Sequence, residues 1–350
     1  MAQIAARVLV VIVNYRTGPL TIDCLRSLAP EVAGYPGTRV VVIDNASGDG
    51  SGEAIAAAIA SEGWSGWARL SASPINGGFA YGCNEGVRSA IAAGEAPDLV
   101  WLLNPDTRVR PGALSTLAGF FEGRPEVGLA GSMIEEADGT PWPYAFRFPS
   151  LLGEFEAAMR LSIVSRLLSH SAVPVRMSDT PQQVDWVSGA SVMIRREVFE
   201  TVGLFDENYF LYFEETDFCR AANRAGWTCW FVPDAAIMHI AGQSTGVTGK
   251  DAAARRRPRY WFDSRRRYFV KNHGRPYAVL VDLAWLVAHL TWRSRRWLQS
   301  LPDPDPPQFT RDFIRWSAIF TGTPQARPEP AVVASSRPKP TLSSVAPTAE

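Results

Sequence analysis

Glu214, Glu215 and Asp217 place three carboxylates within four residues, directly behind the apolar, aromatic run Phe210-Leu211-Tyr212-Phe213. An apolar setting and like-charged neighbours both raise a carboxyl pKa, which suits a general base working near neutral pH. The competing reading is a helix start, where acidic side chains favour the positive end of the helix dipole. A second pair of oxygen-bearing side chains, Asn104 and Asp106, closes the apolar run Leu99–Leu103. Such a pair meets part of the demand of a hard divalent cation, Mg2+ or Mn2+, which keeps positions open for water and a diphosphate. Asn104-Pro105-Asp106 is equally a favourable turn. His239, one of four histidines, ends the stretch Ala236–Ile240. It reads as a structural residue unless Asp106 lies beside it, in which case the two suggest a metal site.

Two further segments fit recognition of a nucleotide. Val40–Asp44 is a strand-like run that delivers Asp44 into the turn Asn45-Ala46-Ser47-Gly48-Asp49. A carboxylate there either accepts a base N–H or caps the helix that follows. In Asn76-Gly77-Gly78-Phe79-Ala80-Tyr81-Gly82-Cys83-Asn84 the glycines open a helical pattern. Backbone N–H groups in such a segment can face phosphates, or the segment is a turn with a helix cap. Its spacing matches neither the G-x-x-x-x-G-K-[ST] loop nor the G-x-G-x-x-G fingerprint.

The elements that must position these residues follow from patterning. Short apolar runs at Val8–Val13, Val40–Asp44 and Leu99–Leu103 alternate with amphipathic stretches near Leu20–Leu28, Gly52–Ala60 and Tyr81–Ala92. That alternation predicts an α/β protein with a mainly parallel, doubly wound sheet. The three runs end in Asn14-Tyr15, Asp44-Asn45 and Asn104-Pro105-Asp106, and carboxyl ends of parallel strands face the ligand crevice. Pro141–Pro181 is weakly patterned around one helical stretch, Leu151–Leu168, and reads as an excursion able to cover a site. Val184–Arg195 resumes strand character around Ser188-Gly189-Ala190; Glu214–Ala225 reads as a helix, and Trp230–Val232 and Ala236–Ile240 as two short strands. Two basic helices are expected at Ala252–Asn272 and Tyr277–Gln299, then an irregular tail.

Composition bounds the remaining possibilities. With 350 residues, 46% hydrophobic and 20% charged, the chain is neither disordered overall nor collagenous. Cys24, Cys83, Cys219 and Cys229 form no C-x-x-C pair, so neither a zinc ribbon nor a disulfide framework is indicated and a reducing compartment fits. Val8–Val13 is too short for a signal peptide, and no apolar window is long enough to span a bilayer. Net charge is zero, yet Arg255 to Arg296 holds twelve Lys/Arg against two Asp. Interleaved with Tyr260-Trp261, Trp285, Trp292 and Trp297, these charges suit either an anionic membrane surface or a helix pair that closes the domain or forms a homo-oligomer.

Taken together, Val11-Ile12-Val13-Asn14-Tyr15, Asp44-Asn45-Ala46-Ser47, Asn76-Gly77-Gly78-Phe79, Leu103-Asn104-Pro105-Asp106, Trp186–Arg196 and Phe213-Glu214-Glu215-Thr216-Asp217 stand in the order seen in glycosyltransferase family 2. Between about Val8 and His273 the chain resembles that family's rhamnosyltransferase-like branch. The resemblance implies a GT-A fold over residues 1–250, with a nucleotide-binding half to about 130 and an acceptor half beyond it. Residues 251–300 then form a basic, Trp-rich helical segment and 301–350 a Pro/Ser/Ala-rich, largely disordered tail. It also implies a nucleotide-diphospho-sugar donor, a divalent metal and inverting transfer without a covalent intermediate.

Residue by residue, the resemblance assigns Glu215 as catalytic base with Glu214 beside it. Val13, Asn14, Tyr15, Asp44, Asn76, Gly77, Gly78 and Asn84 fall at the donor nucleotide, Asn104, Trp186, Gly189 and Asp217 at the donor sugar or acceptor, and Asp106 and His239 at the metal. The favoured reaction is transfer of L-rhamnose from dTDP-L-rhamnose to a glycan or polyprenyl-diphosphate-linked sugar, in the cytoplasm at the inner face of the membrane. A UDP-sugar donor is the alternative. A nucleic-acid binder would leave Asp106, Glu215 and the α/β half without a use, and nucleic acid is not an expected partner.

Overall fold

The computed structural model describes residues 6–136, 138–142, 145–240 and 255–322. The first half alternates as expected: β1 (Val8–Asn14), α1 (Gly18–Gly34), β2 (Arg39–Asp44), α2 (Ser51–Ser61), β3 (Ala68–Ala72), α3 (Phe79–Ala92) and β4 (Leu99–Leu103). β1 pairs in parallel with β2 and β4, and β2 with β3. Both faces of β1 are buried: Val8, Val10 and Ile12 pack towards α1, while Leu9, Val11 and Val13 pack towards α3. A strand covered on both sides reads as a continuous apolar run rather than an alternation. α3 lies so close to β1 that a Cβ on Gly82 would stand 2.6 Å from Val13 Cγ1 and one on Gly86 2.3 Å from Val11 Cγ1.

The second half inserts new strands into the same sheet. After β5 (Thr107–Val109), α4 (Ala113–Phe120) and β6 (Val127–Glu135) come β7 (Pro141–Trp142), β8 (Ala145–Phe146), α5 (Leu151–Met159) and α6 (Ser162–Leu167). Next follow β9 (Gln182–Val184), β10 (Trp186–Val187), β11 (Ser191–Arg195), α7 (Arg196–Val202), α8 (Glu214–Arg224) and β12 (Thr228–His239). The main sheet order is β3-β2-β1-β4-β11-β6-β12-β5. β11 is antiparallel to β4 and β6, and β5 to β12, while β12 runs parallel to β6. The sheet is therefore mixed but mainly parallel, and the ends of β1, β2, β4 and β12 share one edge.

Several expectations require correction. The single helix over Leu151–Leu168 is two, because Arg160 turns left-handed at φ 46 and ends α5. Its guanidinium lies 4.1 Å from the Trp292 ring centroid, and its carbonyl accepts from Arg295 Nη2. Trp230–Val232 and Ala236–Ile240 belong to one strand, β12, whose pairing with β6 slips between Val232 and Ala236. Pro233 has no N–H for a ladder, so the strand bulges there instead of ending. The basic helices are α9 (Arg259–His273) and α10 (Arg275–Leu298), separated by Gly274 at φ 83. The start proposed at Ala252 lies outside the described residues, as does the tail from residue 323. Within 301–350, the irregular reading fails for α11 (Phe309–Trp316), whose Phe309 and Phe313 pack with Phe262 and Trp285.

Candidate active site

The first wall of the site is built where β1 and β2 end. Asn14, fully buried, donates from Nδ2 to Asp44 Oδ1 at 2.7 Å, Ser47 Oγ at 3.1 Å and Ser51 Oγ at 2.9 Å. Its Oδ1 accepts from Thr17 and Thr21, so both ends of the amide are committed within the fold. Ser47 Oγ also donates to Asp44 Oδ1 at 2.5 Å. Asp44 is thereby oriented by one oxygen and remains half-buried at the sheet edge. Asn45 ties this edge to the glycine-rich loop, donating from Nδ2 to Asn76 Oδ1 and Gly78 O, both at 3.1 Å.

Gly78 has φ 92, and a Cβ there would stand 2.0 Å from Phe210 O. The following Phe79 N–H donates to that same carbonyl at 2.8 Å. The glycine-rich loop is thus hooked to the aromatic run that leads into α8. Tyr212 and Phe213 complete that run in left-handed conformations, φ 70 and 68, and turn the chain so that Glu214 and Glu215 open the helix.

Glu214 is 3% exposed and Glu215 is half-buried. Burial, then the charge of Glu215, push the Glu214 carboxyl well above the ordinary Glu value of 4.5. Burial also raises Glu215, partly offset by the backbone N–H groups of Glu215, Gly189 and Thr216. Among the described residues, Glu215 Oε2 is buried with no hydrogen-bond partner. Glu215 Oε1 lies 3.6 Å from where a Cβ on Gly189 would stand, and Phe79 Cε1 3.1 Å from the same point. A glycine at 189 therefore leaves space between the glycine-rich loop and the carboxylate.

Across the start of β11, Ala190 O accepts the Asn104 N–H at 3.0 Å, joining the Gly189 segment to the end of β4. There Asp106, 5% exposed, faces His239: Oδ1 and Nε2 are 3.1 Å apart. Pairing of Thr107 with His239 in the β5–β12 ladder enforces this meeting, and Asn104 Nδ2 lies 3.4 Å from the same imidazole nitrogen. Among the described residues no group of three His, Cys, Asp or Glu side chains could hold a metal. One carboxylate oxygen and one imidazole nitrogen fit a divalent cation that draws its remaining ligands from a diphosphate and water.

The model of the family described as glycosyltransferase-like family 2 matches residues 5–263. The chain belongs to this family. It is a glycosyltransferase, and its sheet and helices form a GT-A fold. It is 29% identical over 295 residues to the N-acetylglucosaminyl-diphospho-decaprenol L-rhamnosyltransferase of Mycobacterium tuberculosis, covering 82% of this chain and 88% of that one. It is 26% identical over 144 residues to the rhamnosyltransferase WbbL of Escherichia coli, covering 41% and 53%. The solved mannosyltransferase of Pyrobaculum calidifontis, in complex with GDP-Man and Mn2+, superposes at a TM-score of 0.52 with 17% identity, over 84% of this chain and 75% of that one.

Within this glycosyltransferase the expected residues divide into those that stand on one connected set of segments and those that brace the fold elsewhere. Asp44, Asn76, Gly77, Gly78, Asn104, Asp106, Gly189, Glu214, Glu215 and His239 stand on the connected segments just described. Of the Val13-Asn14-Tyr15 segment, Val13 packs under α3 and Asn14 orients Asp44, whereas Tyr15 stays half-buried with the Arg16 guanidinium 5.1 Å from its ring centroid. Trp186 stacks on Phe146 at 4.2 Å and donates from Nε1 to Arg147 O, fixing the β8–β10 ribbon.

Two assignments are corrected. Asn84 is 1% exposed, donates from Nδ2 to Phe205 O and Glu207 Oε1, and accepts the Phe205 N–H. It braces the loop ahead of the aromatic run and has no free end for a nucleotide. Asp217 is 5% exposed and held by Lys271 Nζ at 2.5 Å and Asn272 Nδ2 at 2.7 Å. It anchors α8 to α9. The positioning roles of Ser51 and Lys271 escaped the sequence reading, because each acts through a partner remote in the chain.

Proposed function

We propose that this glycosyltransferase transfers L-rhamnose from dTDP-L-rhamnose to a polyprenyl-diphosphate-linked sugar, with inversion in a single displacement, at the inner face of the membrane. The observation that carries the reading is the union at one sheet edge of the Asp106–His239 pair with the Glu215 carboxylate beside Gly189. The Mycobacterium tuberculosis relative supports the choice of sugar and acceptor.

In this reading Asp44, held by Asn14 and Ser47, accepts an N–H of the pyrimidine, and the Asn76-Gly77-Gly78 loop borders the donor. Asp106 and His239, with Asn104 alongside, would hold Mg2+ or Mn2+, which supplies charge neutralisation for the departing diphosphate. The acceptor oxygen bonds to the anomeric carbon as the bond from that carbon to the phosphate oxygen breaks. Glu215 Oε2 takes the acceptor hydroxyl proton, and the electron pair of the broken bond leaves with the nucleoside diphosphate.

Glu215→Gln should lower turnover by about 10²-fold or more with donor affinity nearly unchanged; normal turnover would remove Glu215 as the base. A thermal-shift panel of nucleotide-sugars with Mn2+ tests the donor, since a ligand that binds the native state raises apparent stability. The expected result is the largest shift with dTDP-L-rhamnose; a larger one with a UDP-sugar would transfer the donor assignment to that sugar.

A further inference from the structure

The exposed side of α10 is apolar. Leu280, Leu283, Val287 and Leu290 are 54%, 45%, 60% and 50% exposed, and Trp297 follows on the same helical stripe. From Pro276 to Thr291 no exposed residue of α10 carries a charge. The stripe is flanked by arginines, Arg275 before it and Arg293, Arg295 and Arg296 around its last turn. There Arg293 pairs with Asp303 at 2.7 Å, Arg295 donates to Arg160 O and Arg296 to Pro302 O, so that Arg275 and the exposed Arg293 offer the charge at the two ends. The opposite side of the helix is packed, with Val281, Trp285, Ala288 and Trp292 buried. Leu298, also exposed, lies just beyond the stripe. Arg160, against Trp292 and Arg295, sets the start of α6 beside the last third of α10.

A surface helix whose outer side is apolar for four turns needs an apolar neighbour. A second copy of the chain fits poorly. Antiparallel packing of two α10 helices would bring Arg293 and Arg296 towards the partner's Arg275, and parallel packing would set each arginine cluster against itself. An anionic lipid surface accepts both features, acyl chains under the leucines and phosphates at the arginines. No helix among the described residues is long and apolar enough to cross a membrane. We propose that α10 lies in the plane of an anionic bilayer, with the Leu280-Leu283-Val287-Leu290 stripe inserted and the flanking arginines on phosphate headgroups.

The test is flotation of the full chain with vesicles of phosphatidylcholine alone or with about 30 mol% phosphatidylglycerol, for wild type and Leu283→Glu/Val287→Glu. Wild type should float with the anionic vesicles, and the double variant should lose about tenfold of the bound fraction. Both changed residues are exposed, so melting temperature and transfer to a short-chain, water-soluble acceptor should stay at wild-type values. Quenching of Trp297 by brominated lipid, read against Trp297→Phe, gives a second measure that needs no destabilising change. Equal flotation of the variant, absence of lipid binding, or a wild-type dimer that the variant dissolves would each overturn the inference. Glycosyl transfer that persists in any of those cases separates its failure from that of the enzymatic reading.

Discussion

Glu215 can act as a base only while ionised, so the burial that raises its pKa sets the acid side of the rate profile. The fall in kcat at low pH should have its midpoint above the ordinary Glu value of 4.5, measured under donor saturation. Glu214 affects stability as well. Its carboxyl holds a proton more tightly in the fold than in the unfolded chain. Above the ordinary Glu value the native state therefore binds more protons than the unfolded state, and stability falls as pH rises through that window. Glu214→Gln keeps the shape and removes the titration. We expect its melting temperature to exceed that of wild type at pH 8 and to vary less with pH, as calorimetry across pH 5–8 would show.

At the scale of elements, α8 delivers the carboxylates and α9 holds α8. Lys271 Nζ bridges Asp206 and Asp217, and Arg267 adds a second hold on Asp206. Burial opposes ionisation of Asp206, yet Lys271, Asn208 and Arg267 keep its carboxyl well below the ordinary range. Lys271→Met leaves Asp217 buried with Asn272 as its remaining neutral donor. Such a loss should destabilise by about 1–3 kcal/mol and lower kcat more than it alters donor KM, because α8 shifts while the Asn14–Asp44 edge stays intact. Steady-state kinetics with a chemical melt separates the two effects.

The same scale explains what could be read from sequence. β1, β2 and β4 were legible because strands buried on both faces write unbroken apolar runs. Asp106, His239 and Glu215 stand out in the sequence because they sit at the ends of such runs or behind an aromatic one, and the fold brings the first two within 3.1 Å of each other. Asn84 and Asp217 were misassigned since a buried carboxamide or carboxylate looks the same in sequence whether it meets a ligand or a loop; their partners, Phe205 and Lys271, lie far along the chain. The Arg160 break in the expected Leu151–Leu168 helix had no local mark, because the left-handed turn there is stabilised by Trp292 and Arg295. α11 did leave a signal in Phe309, Phe313 and Trp316 at helical spacing, outweighed by the prolines around it.

At the scale of the whole molecule, the arginine-rich segment from Arg255 to Arg296 is partly turned inward. Arg265 is 4% exposed and meets Glu154 at 2.7 Å and Asp282 at 2.5 Å, while Asp282 also accepts the Ala318 N–H. This cluster joins α5 to α9, α10 and the segment after α11. Removing one member of a buried ion pair leaves the others without compensation, so Arg265→Met should destabilise the whole enzyme by about 3–5 kcal/mol. A single cooperative transition at lower denaturant would confirm that the catalytic domain and the C-terminal helices unfold together.

Buried guanidiniums of this kind are shielded from dissolved electrolyte, whereas those at the ends of α10 are not. Ionic strength should therefore act selectively on this protein. Molar sodium chloride would leave the Arg265 clamp and the melting temperature nearly unchanged, while weakening whatever Arg275 and Arg293 attract from solution.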